Sequence, residues 1–194
     1  MMTDSPTQTT EARSALILVD CINAFYDPKG SMYYPETAQV VEPIVALLER
    51  ARARDRLIIH SIERHLPGLD DFEWGKLPPH CLAFDEEREI YPPFTPAGGK
   101  REIEVAKRRF SAFFETDLAL LLHEQRIQTL VVCGVKTNVC IRATVQDAFG
   151  WGFAPVVVRE ATNSNRPHLA AASLEDIDRY MGQVTGLTEG LTLL

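Results

Sequence analysis

The sequence predicts an α/β fold in which a parallel β-sheet has helices packed on both of its faces. Short, mostly continuous apolar runs are typical of strands covered on both sides, and five occur, at Ala15–Val19, Leu57–Ile62, Ile103–Ala106, Thr129–Cys133 and Pro155–Val158. Segments with helical apolar spacing alternate with them, at Glu36–Ala53, Asp117–Gln125, Val139–Gly150 and Pro167–Met181. This alternation of strands and helices predicts the parallel sheet.

The remaining elements are less regular. Leu187–Leu193 is expected to form a sixth strand, and Thr116 is expected to be the N-cap of the helix that follows it. The connection Arg64–Gly99 is rich in proline, glycine and aromatic residues, and connections of this length are usually functional or mobile. This segment could form a lid over a site or a contact between subunits, and the sequence leaves both interpretations open.

Length and composition indicate an ordinary globular protein. The 194 residues favour one domain, residues 14–194, after a flexible polar tail, residues 1–13. A net charge of −7 argues against nucleic acid or an anionic membrane as the main partner. Because the chain has neither a secretory signal nor an apolar stretch near the roughly 20 residues that span a bilayer, a cytoplasmic location is expected.

Polar residues directly follow four of the predicted strands. Asp20 follows the first, Glu63 and His65 the second, Lys107 the third, and the loop leading to Cys140 the fourth. The carboxyl ends of parallel strands share one edge of the sheet, where sites of such folds form. These side chains are therefore expected to face one another.

Cys140 is the candidate nucleophile. It stands at the start of a predicted helix, where the dipole and the free N–H groups lower a thiol pKa and can hold an oxyanion. A cysteine taken alone is more often an inert buried thiol. The four cysteines lack CxxC spacing and are expected to be free thiols.

Asp20 and Lys107 are the candidate partners of Cys140. Asp20 could take the thiol proton and return it to a leaving amine, or it could cap a turn before Asn23. A lysine in a KRR run is ordinarily a solvated surface charge, whereas at this edge it would keep Asp20 ionised. Their convergence on one edge favours the catalytic interpretation.

Three motifs carry a resemblance to a known family. The segments VDCINAFYD, KRRFSAFFETDL and VVCGVKTNVCIRATVQDA resemble, in this order, the aspartate, lysine and cysteine motifs of isochorismatase-like cysteine hydrolases. The resemblance implies a Rossmann-like, three-layer αβα sandwich with a six-stranded parallel sheet and an Asp20–Lys107–Cys140 triad. It further implies a non-proline cis peptide at Val135–Lys136 and oxyanion donors in the backbone N–H groups of Lys136 and Cys140.

The same resemblance raises the question of a metal. Nicotinamidases of this family carry Asp-x-His after the second strand and a PPHC-like segment; here these positions read Glu63-x-His65 and Pro78–Cys81, which includes His80. The resemblance implies a divalent zinc, manganese or iron ion held by Glu63, His65, His80 and Glu73. Asp70 and Asp71 compete with Glu73 for the fourth position.

The expected substrate is a small-molecule amide, cleaved through a thioester. Nicotinamidase-type deamidation is favoured narrowly over a metal-independent ureide or carbamoyl amide hydrolase, and isochorismatase chemistry is disfavoured because a cysteine suits amide cleavage better. Leu77 stands where nicotinamidases have a tryptophan, so Phe25, Trp74 and Asn23 are the expected substrate contacts. By analogy with related sheets, a homo-oligomer, either a dimer or a tetramer, is expected.

Two non-enzymatic interpretations stay open from the sequence. A redox-sensing thiol protein would pair Cys140 with a resolving thiol, for which Cys133 is available, although its strand position points it into the core. A catalytically inactive binding module would be expected to lack one member of the triad, and none is missing.

Overall fold

The computed structural model describes residues 13–82 and 86–194, and within them it contains one parallel sheet of six strands in the order β3-β2-β1-β4-β5-β6. All five strand pairings are parallel. The strands are β1 (Ser14–Val19), β2 (Leu57–Glu63), β3 (Glu102–Lys107), β4 (Thr129–Val135), β5 (Ala154–Asn163) and β6 (Gln183–Thr185). The chain order reverses between β1 and β4, and this is where sites of open parallel sheets form.

The sheet separates two apolar cores. Along β1, Leu16 and Leu18 pack into one core, while Ile17 and Val19 pack into the other. Successive side chains of a strand point to opposite faces, so both faces of β1 are covered, as its continuous apolar run predicts.

Helices cover both faces. They are α1 (Asn23–Tyr26), α2 (Ala38–Ala53), α3 (Leu118–Glu124), α4 (Arg142–Gly150), α5 (Pro167–Tyr180) and α6 (Leu187–Leu193). Ile44 of α2 and Leu191 of α6 contribute to the core that contains Leu16, whereas residues of α3, α4 and α5 contribute to the core on the opposite face. This arrangement is the three-layer αβα sandwich. Across the described ranges, every helix is too short or too polar to cross a lipid bilayer.

The C-terminal prediction was wrong. Leu187–Leu193 is helix α6, and the sixth strand is the three-residue β6 immediately before it. Leu187 and Leu191 have the i, i+4 spacing of a helix face and pack on the same core as α2. A Cβ added at Gly190 would lie 2.5 Å from Val158 Cγ2, so a residue without a side chain lets α6 lie against β5.

One predicted boundary also shifts. Asp117, not Thr116, is the N-cap of α3 and makes no side-chain capping bond; Thr116 Oγ1 instead accepts the Leu118 N–H at 3.4 Å and donates to the Ala112 carbonyl. The predicted tail, residues 1–13, lies outside the described residues except for Arg13. The Arg13 carbonyl accepts the Gln128 N–H at 2.9 Å.

The long connection 64–99 is described at residues 64–82 and 86–99. These parts consist of short turns that pack against the edge of the sheet where the site lies. It contains 3₁₀ turns at Phe72–Gly75, Glu86–Arg88 and Pro92–Phe94. The Phe94 ring packs edge-on against Tyr26 of α1, with centroids 5.2 Å apart. The segment therefore forms part of the wall around the carboxyl ends of β1 and β2.

Candidate active site

Asp20, Lys107 and Cys140 meet at the carboxyl edge of the sheet. Lys107 Nζ lies 2.9 Å from Asp20 Oδ2 and 3.8 Å from Cys140 Sγ. Cys140 Sγ is also within 4.8 Å of an Asp20 carboxylate oxygen. All three residues are buried. The structure thus brings together the three residues that the motifs single out.

Asp20 is fixed by the strand ends around it. Its backbone N–H donates to the Ser61 carbonyl at 2.8 Å, and its Oδ1 accepts the Glu63 N–H at 2.9 Å. Gly134 lets β4 come close on the other side, since its φ is 113° and a Cβ there would lie 2.1 Å from the Val19 carbonyl oxygen. Burial raises the pKa of Asp20 to about 6, although the Lys107 cation opposes the rise.

Lys107 is a cation surrounded by anionic groups. Burial by itself lowers the pKa of Lys107, but Asp20, Cys140 and Glu63 together raise it well above its ordinary value. Its Nζ lies 3.7 Å from Glu63 Oε1, so it bridges two carboxylates and the thiol. Lys107 therefore stays protonated and supplies a fixed positive charge.

The environment of Cys140 differs from the sequence expectation in one respect. Cys140 lies in a π-helical turn, Thr137–Ile141, that leads into α4. Burial raises the pKa of its thiol well above the ordinary value, with Lys107 acting in the opposite direction. The expected lowering by the helix start is outweighed because the sulfur is withdrawn from water. A proton acceptor beside the thiol is therefore needed to form the thiolate.

The turn before Cys140 has the cis peptide that the resemblance implies, at Val135–Lys136. The Lys136 carbonyl accepts the N–H groups of Val139 at 3.0 Å and Ile141 at 3.2 Å. The π-helical turn thus places Lys136 and Cys140 next to each other at the floor of the site. Their role as oxyanion donors stays a prediction.

Four potential metal ligands converge beside the triad. One ligand atom from each of Glu63, His65, Glu73 and His80 lies within 4.8 Å of every other, and all four residues are buried. His65 Nε2 is 3.6 Å from Glu73 Oε2, and His80 Nε2 is 3.4 Å from Glu63 Oε2. The four residues expected from sequence thus lie together.

The outer nitrogens of both imidazoles are already occupied. His65 Nδ1 hydrogen-bonds Asp71 Oδ2 at 2.9 Å, and His80 Nδ1 donates to the Pro78 carbonyl at 2.8 Å. This leaves both Nε2 atoms facing the carboxylates. Within residues 13–82 and 86–194, neither Nε2 atom nor either carboxylate oxygen of Glu73 has a hydrogen-bond partner. Buried polar atoms without partners are rare, and two imidazoles with two carboxylates suit zinc, manganese or iron.

Asp71 supports the cluster from outside, and Asp70 is exposed. Asp71 Oδ1 accepts the Glu73 N–H at 3.0 Å and binds Arg109 at 3.0 Å, while Oδ2 binds Arg108 at 3.1 Å as well as His65. Of the three carboxylates that competed for the fourth position, Glu73 faces the cluster. Asp71 fixes the orientation of the His65 ring, the same arrangement that carboxylates adopt behind metal-bound histidines.

A cavity of about 570 Å³ opens onto Cys140. Phe25, Phe110, Leu77 and Met32 are among its apolar lining, and Glu63 and His80 connect it with the cluster. Of the expected substrate contacts, only Phe25 lines it. The Asn23 side chain instead donates to the Glu86 carbonyl at 3.0 Å, and the Trp74 ring packs beside His65 at 6.2 Å.

The family model for the isochorismatase domain matches residues 14–189. The chain belongs to the isochorismatase family. It is 33% identical over 177 residues to the maleamate amidohydrolase of Pseudomonas putida, covering 89% of this chain and 82% of that protein. It is 31% identical to the N-carbamoylsarcosine amidase of an Arthrobacter species, covering 89% of this chain and 67% of that protein.

Solved structures agree with the family assignment. The pyrazinamidase/nicotinamidase of Streptococcus mutans superposes with a TM-score of 0.84 at 27% identity, covering 89% of this chain and 99% of that one. The pyrazinamidase of Pyrococcus horikoshii in complex with zinc has a TM-score of 0.81 at 25% identity, covering 90% and 99%. The predicted fold class and the predicted family are thereby confirmed.

Two side chains of this isochorismatase-family site, those of Phe110 and Lys136, were not expected from the sequence. Phe110 lies three residues after Lys107 in the lysine motif and lines the cavity, and no substrate contact was expected there. Lys136 was named for its backbone N–H alone, but its side chain also lines the cavity. Its place in the loop after β4, at the site edge, was the available signal.

Proposed function

We propose that the protein is a cysteine-dependent amidohydrolase that cleaves the carbon–nitrogen bond of a small-molecule amide through a thioester. The observation that carries the proposal is a buried thiol at the floor of the cavity, with a carboxylate and a lysine beside it. The relatives named as amidases and amidohydrolases support the same reaction.

Asp20 is the proton carrier of this reaction. With a pKa of about 6 it is ionised at neutral pH, and it lies beside a thiol whose own pKa burial has raised. It takes the Sγ proton as sulfur attacks the amide carbonyl carbon, and it returns that proton to the departing amine or ammonia. Water then hydrolyses the thioester, which releases the acid and regenerates the thiol.

Lys107 stabilises the negative charge that moves between Asp20 and Cys140 during these proton transfers. Its ammonium contacts Asp20 and is 3.8 Å from Sγ, so it stabilises whichever of the two carries the negative charge. The backbone N–H groups of Lys136 and Cys140 are the proposed donors to the carbonyl oxygen as it becomes an oxyanion. Loss of one such donor ordinarily costs about 10²–10³ in rate.

We further propose that Glu63, His65, Glu73 and His80 hold a divalent metal ion. When bound, the ion supplies a Lewis acid that can orient a coordinating atom of the substrate. Glu63 stands at the junction of the two sites: burial raises its pKa, but Lys107, His80 and His65 outweigh that effect and lower it to about 2. It is therefore ionised and able to act as a ligand.

Two kinds of amide are candidate substrates of the proposed reaction. Nicotinamide-type deamidation is supported by the ligand cluster beside Cys140 and by the nicotinamidase-like solved structures. An acyclic amide is supported by the curated relatives named for maleamate and N-carbamoylsarcosine. Leu77, in place of an aromatic residue at the cavity wall, favours the acyclic class.

Ammonia release from a panel of amides tests the proposal. The panel is nicotinamide, pyrazinamide, maleamate, biuret and an N-carbamoyl amino acid, each assayed with metal-loaded and chelator-treated protein. We expect release from at least one amide by the wild type and none by Cys140→Ala. Release that is equal in both proteins, or absent from every amide, would refute it.

A further inference from the structure

The Lys136 side chain is a cation in the cavity that the proposed reaction does not use. Its Nζ lies 5.2 Å from the centroid of the Tyr34 ring and 5.9 Å from that of Phe25. The aromatic faces attract and position an ammonium group, but they do not neutralise it. Among the described residues, no carboxylate oxygen lies within 4.0 Å of Nζ.

The other half-buried or buried cations around the site have acidic partners. Lys107 binds Asp20 at 2.9 Å, and Arg109 binds Asp71 at 3.0 Å. Arg142 lines the same cavity but donates from Nε to Asp176 at 3.1 Å. Lys136 differs from all of these, since the partners around it are aromatic rings.

The surroundings of Lys136 favour the arrival of an anion. Burial lowers its pKa, Cys140 raises it, the nearby Arg166 guanidinium lowers it, and the Glu63 carboxylate raises it. A bound carboxylate would offset both the burial and the repulsion from Arg166. Withdrawal of a charge from water without an oppositely charged partner costs free energy. A ligand that supplies the partner removes this cost, so its binding is favoured.

We propose that the Lys136 ammonium binds a carboxylate of the substrate, so that the site selects small amides that carry an anionic group over neutral amides of the same shape. This inference rests on the proposed amidohydrolase function and adds the substrate class to it. Lys136 and Cys140 line one cavity, so a carboxylate held at Nζ fixes the distance and direction from which the amide approaches Sγ.

The occupant is a carboxylate rather than a phosphate because of what the cavity offers. Phosphate recognition generally uses a guanidinium fork or several convergent donors. In this cavity the guanidinium of the lining, that of Arg142, is paired with Asp176, and the second lysine of the lining, Lys76, is exposed. Phe25 and Leu77 supply apolar surface beside Lys136. The volume of about 570 Å³ accommodates a small amide with one anionic end.

Two substrates that differ only in charge test the inference. Maleamate carries a carboxylate at the end opposite its amide, and maleamide, the neutral diamide, has the same carbon skeleton. The readout is the ratio of kcat/KM for maleamate to that for maleamide. A ratio cancels any effect of a substitution on the thiol or on the backbone donors, which act on both substrates alike.

We expect the wild type to prefer the anion by roughly tenfold to 100-fold, the range given by a hydrogen bond to a charged group. Lys136→Met should bring the ratio near one, and Lys136→Arg, which keeps the charge, should retain most of the preference. Lys29→Met removes an exposed lysine outside the cavity and should leave the ratio unchanged. Circular dichroism of each variant confirms that it folds.

Each of two results would overturn the inference: a wild-type ratio of one or less, or a preference that persists in Lys136→Met. If the methionine variant does not fold, the wild-type ratio and the Lys136→Arg ratio still decide the matter. Failure of the proposed function looks different, because then no amide of the wider panel is hydrolysed faster by the wild type than by Cys140→Ala.

Discussion

Substitution of Lys107 by methionine tests how the site makes a nucleophile from a buried thiol. The ammonium lies 3.8 Å from Cys140 Sγ and 2.9 Å from Asp20. With an effective dielectric constant of about 20, the attraction between the ammonium and a thiolate 3.8 Å away is about 4 kcal/mol. This energy corresponds to a lowering of the thiol pKa by about three units. Even a third of that energy would reduce the thiolate fraction at neutral pH about tenfold.

The assay is the rate of alkylation of Cys140 by iodoacetamide at pH 7, followed by peptide mass spectrometry so that the other three buried cysteines are counted separately. We expect Lys107→Met to slow modification of Cys140 by at least tenfold, while the exposed control Lys29→Met reacts like the wild type. Equal rates in the wild type and in Lys107→Met would refute the electrostatic account. Modification of wild-type Cys140 no faster than that of the other three buried cysteines would also contradict an activated nucleophile.

Further predictions concern the proton carrier, the ligand cluster and the backbone. Because burial raises the pKa of Asp20 to about 6, kcat/KM should fall as the pH drops below about 6 and the carboxylate becomes protonated; a profile flat down to pH 4.5 would exclude Asp20 as the base. Asp71→Asn should weaken zinc binding, measured by competition with a chromogenic chelator, by about 10–100-fold because His65 loses its carboxylate partner. The exposed Asp70→Asn is the matched control, and equal affinities of the two variants would argue against the orienting role. Gly134→Ala should lower the melting temperature measured by calorimetry. A Cβ at this position would lie 2.1 Å from a carbonyl oxygen of β1, and the φ of 113° disfavours a side chain. An unchanged melting temperature would show that the close approach of β4 to β1 does not require a glycine.

The sheet could be predicted because its central strands are buried on both faces. Burial of this kind requires continuous apolar runs, such as Ala15–Val19, which the sequence displays directly. The edge strand Gln183–Thr185 has one apolar residue and gives no such signal. The run after it, Leu187–Leu193, has the apolar content of a strand, but the i, i+4 spacing of Leu187 and Leu191 is that of a helix face.

Asp20, Lys107 and the loop that leads to Cys140 could be placed at one edge because that placement depends on topology alone. Residues at the carboxyl ends of β1 and β3 and after β4 must share an edge once the sheet is parallel. The resemblance added the candidate metal ligands, but the choice between Glu73 and Asp71 depends on the conformation of the loop that follows β2. Both residues lie at the same 3₁₀ turn, and only the structure shows that Asp71 faces His65 Nδ1.

Side-chain direction and burial account for most of what the sequence did not show. Asn23 turns to the Glu86 carbonyl and Trp74 packs beside His65, both through contacts made by the long connection. The raised pKa of Cys140 follows from the complete withdrawal of its sulfur from water, and this depends on the elements that cover it. The position of Lys136 Nζ against two rings is likewise a tertiary contact.

The central claim is that Cys140 forms a thioester with the acyl part of the substrate, and hydroxylamine trapping measures this most directly. Hydroxylamine added during turnover competes with water for a thioester and yields a hydroxamic acid. We predict that hydroxamate forms at the expense of the free acid while ammonia release continues, and that Cys140→Ala, with its rate reduced at least about a thousandfold, forms none. Continued ammonia release without hydroxamate, or hydrolysis by Cys140→Ala at the wild-type rate, would contradict the account and indicate direct attack by water.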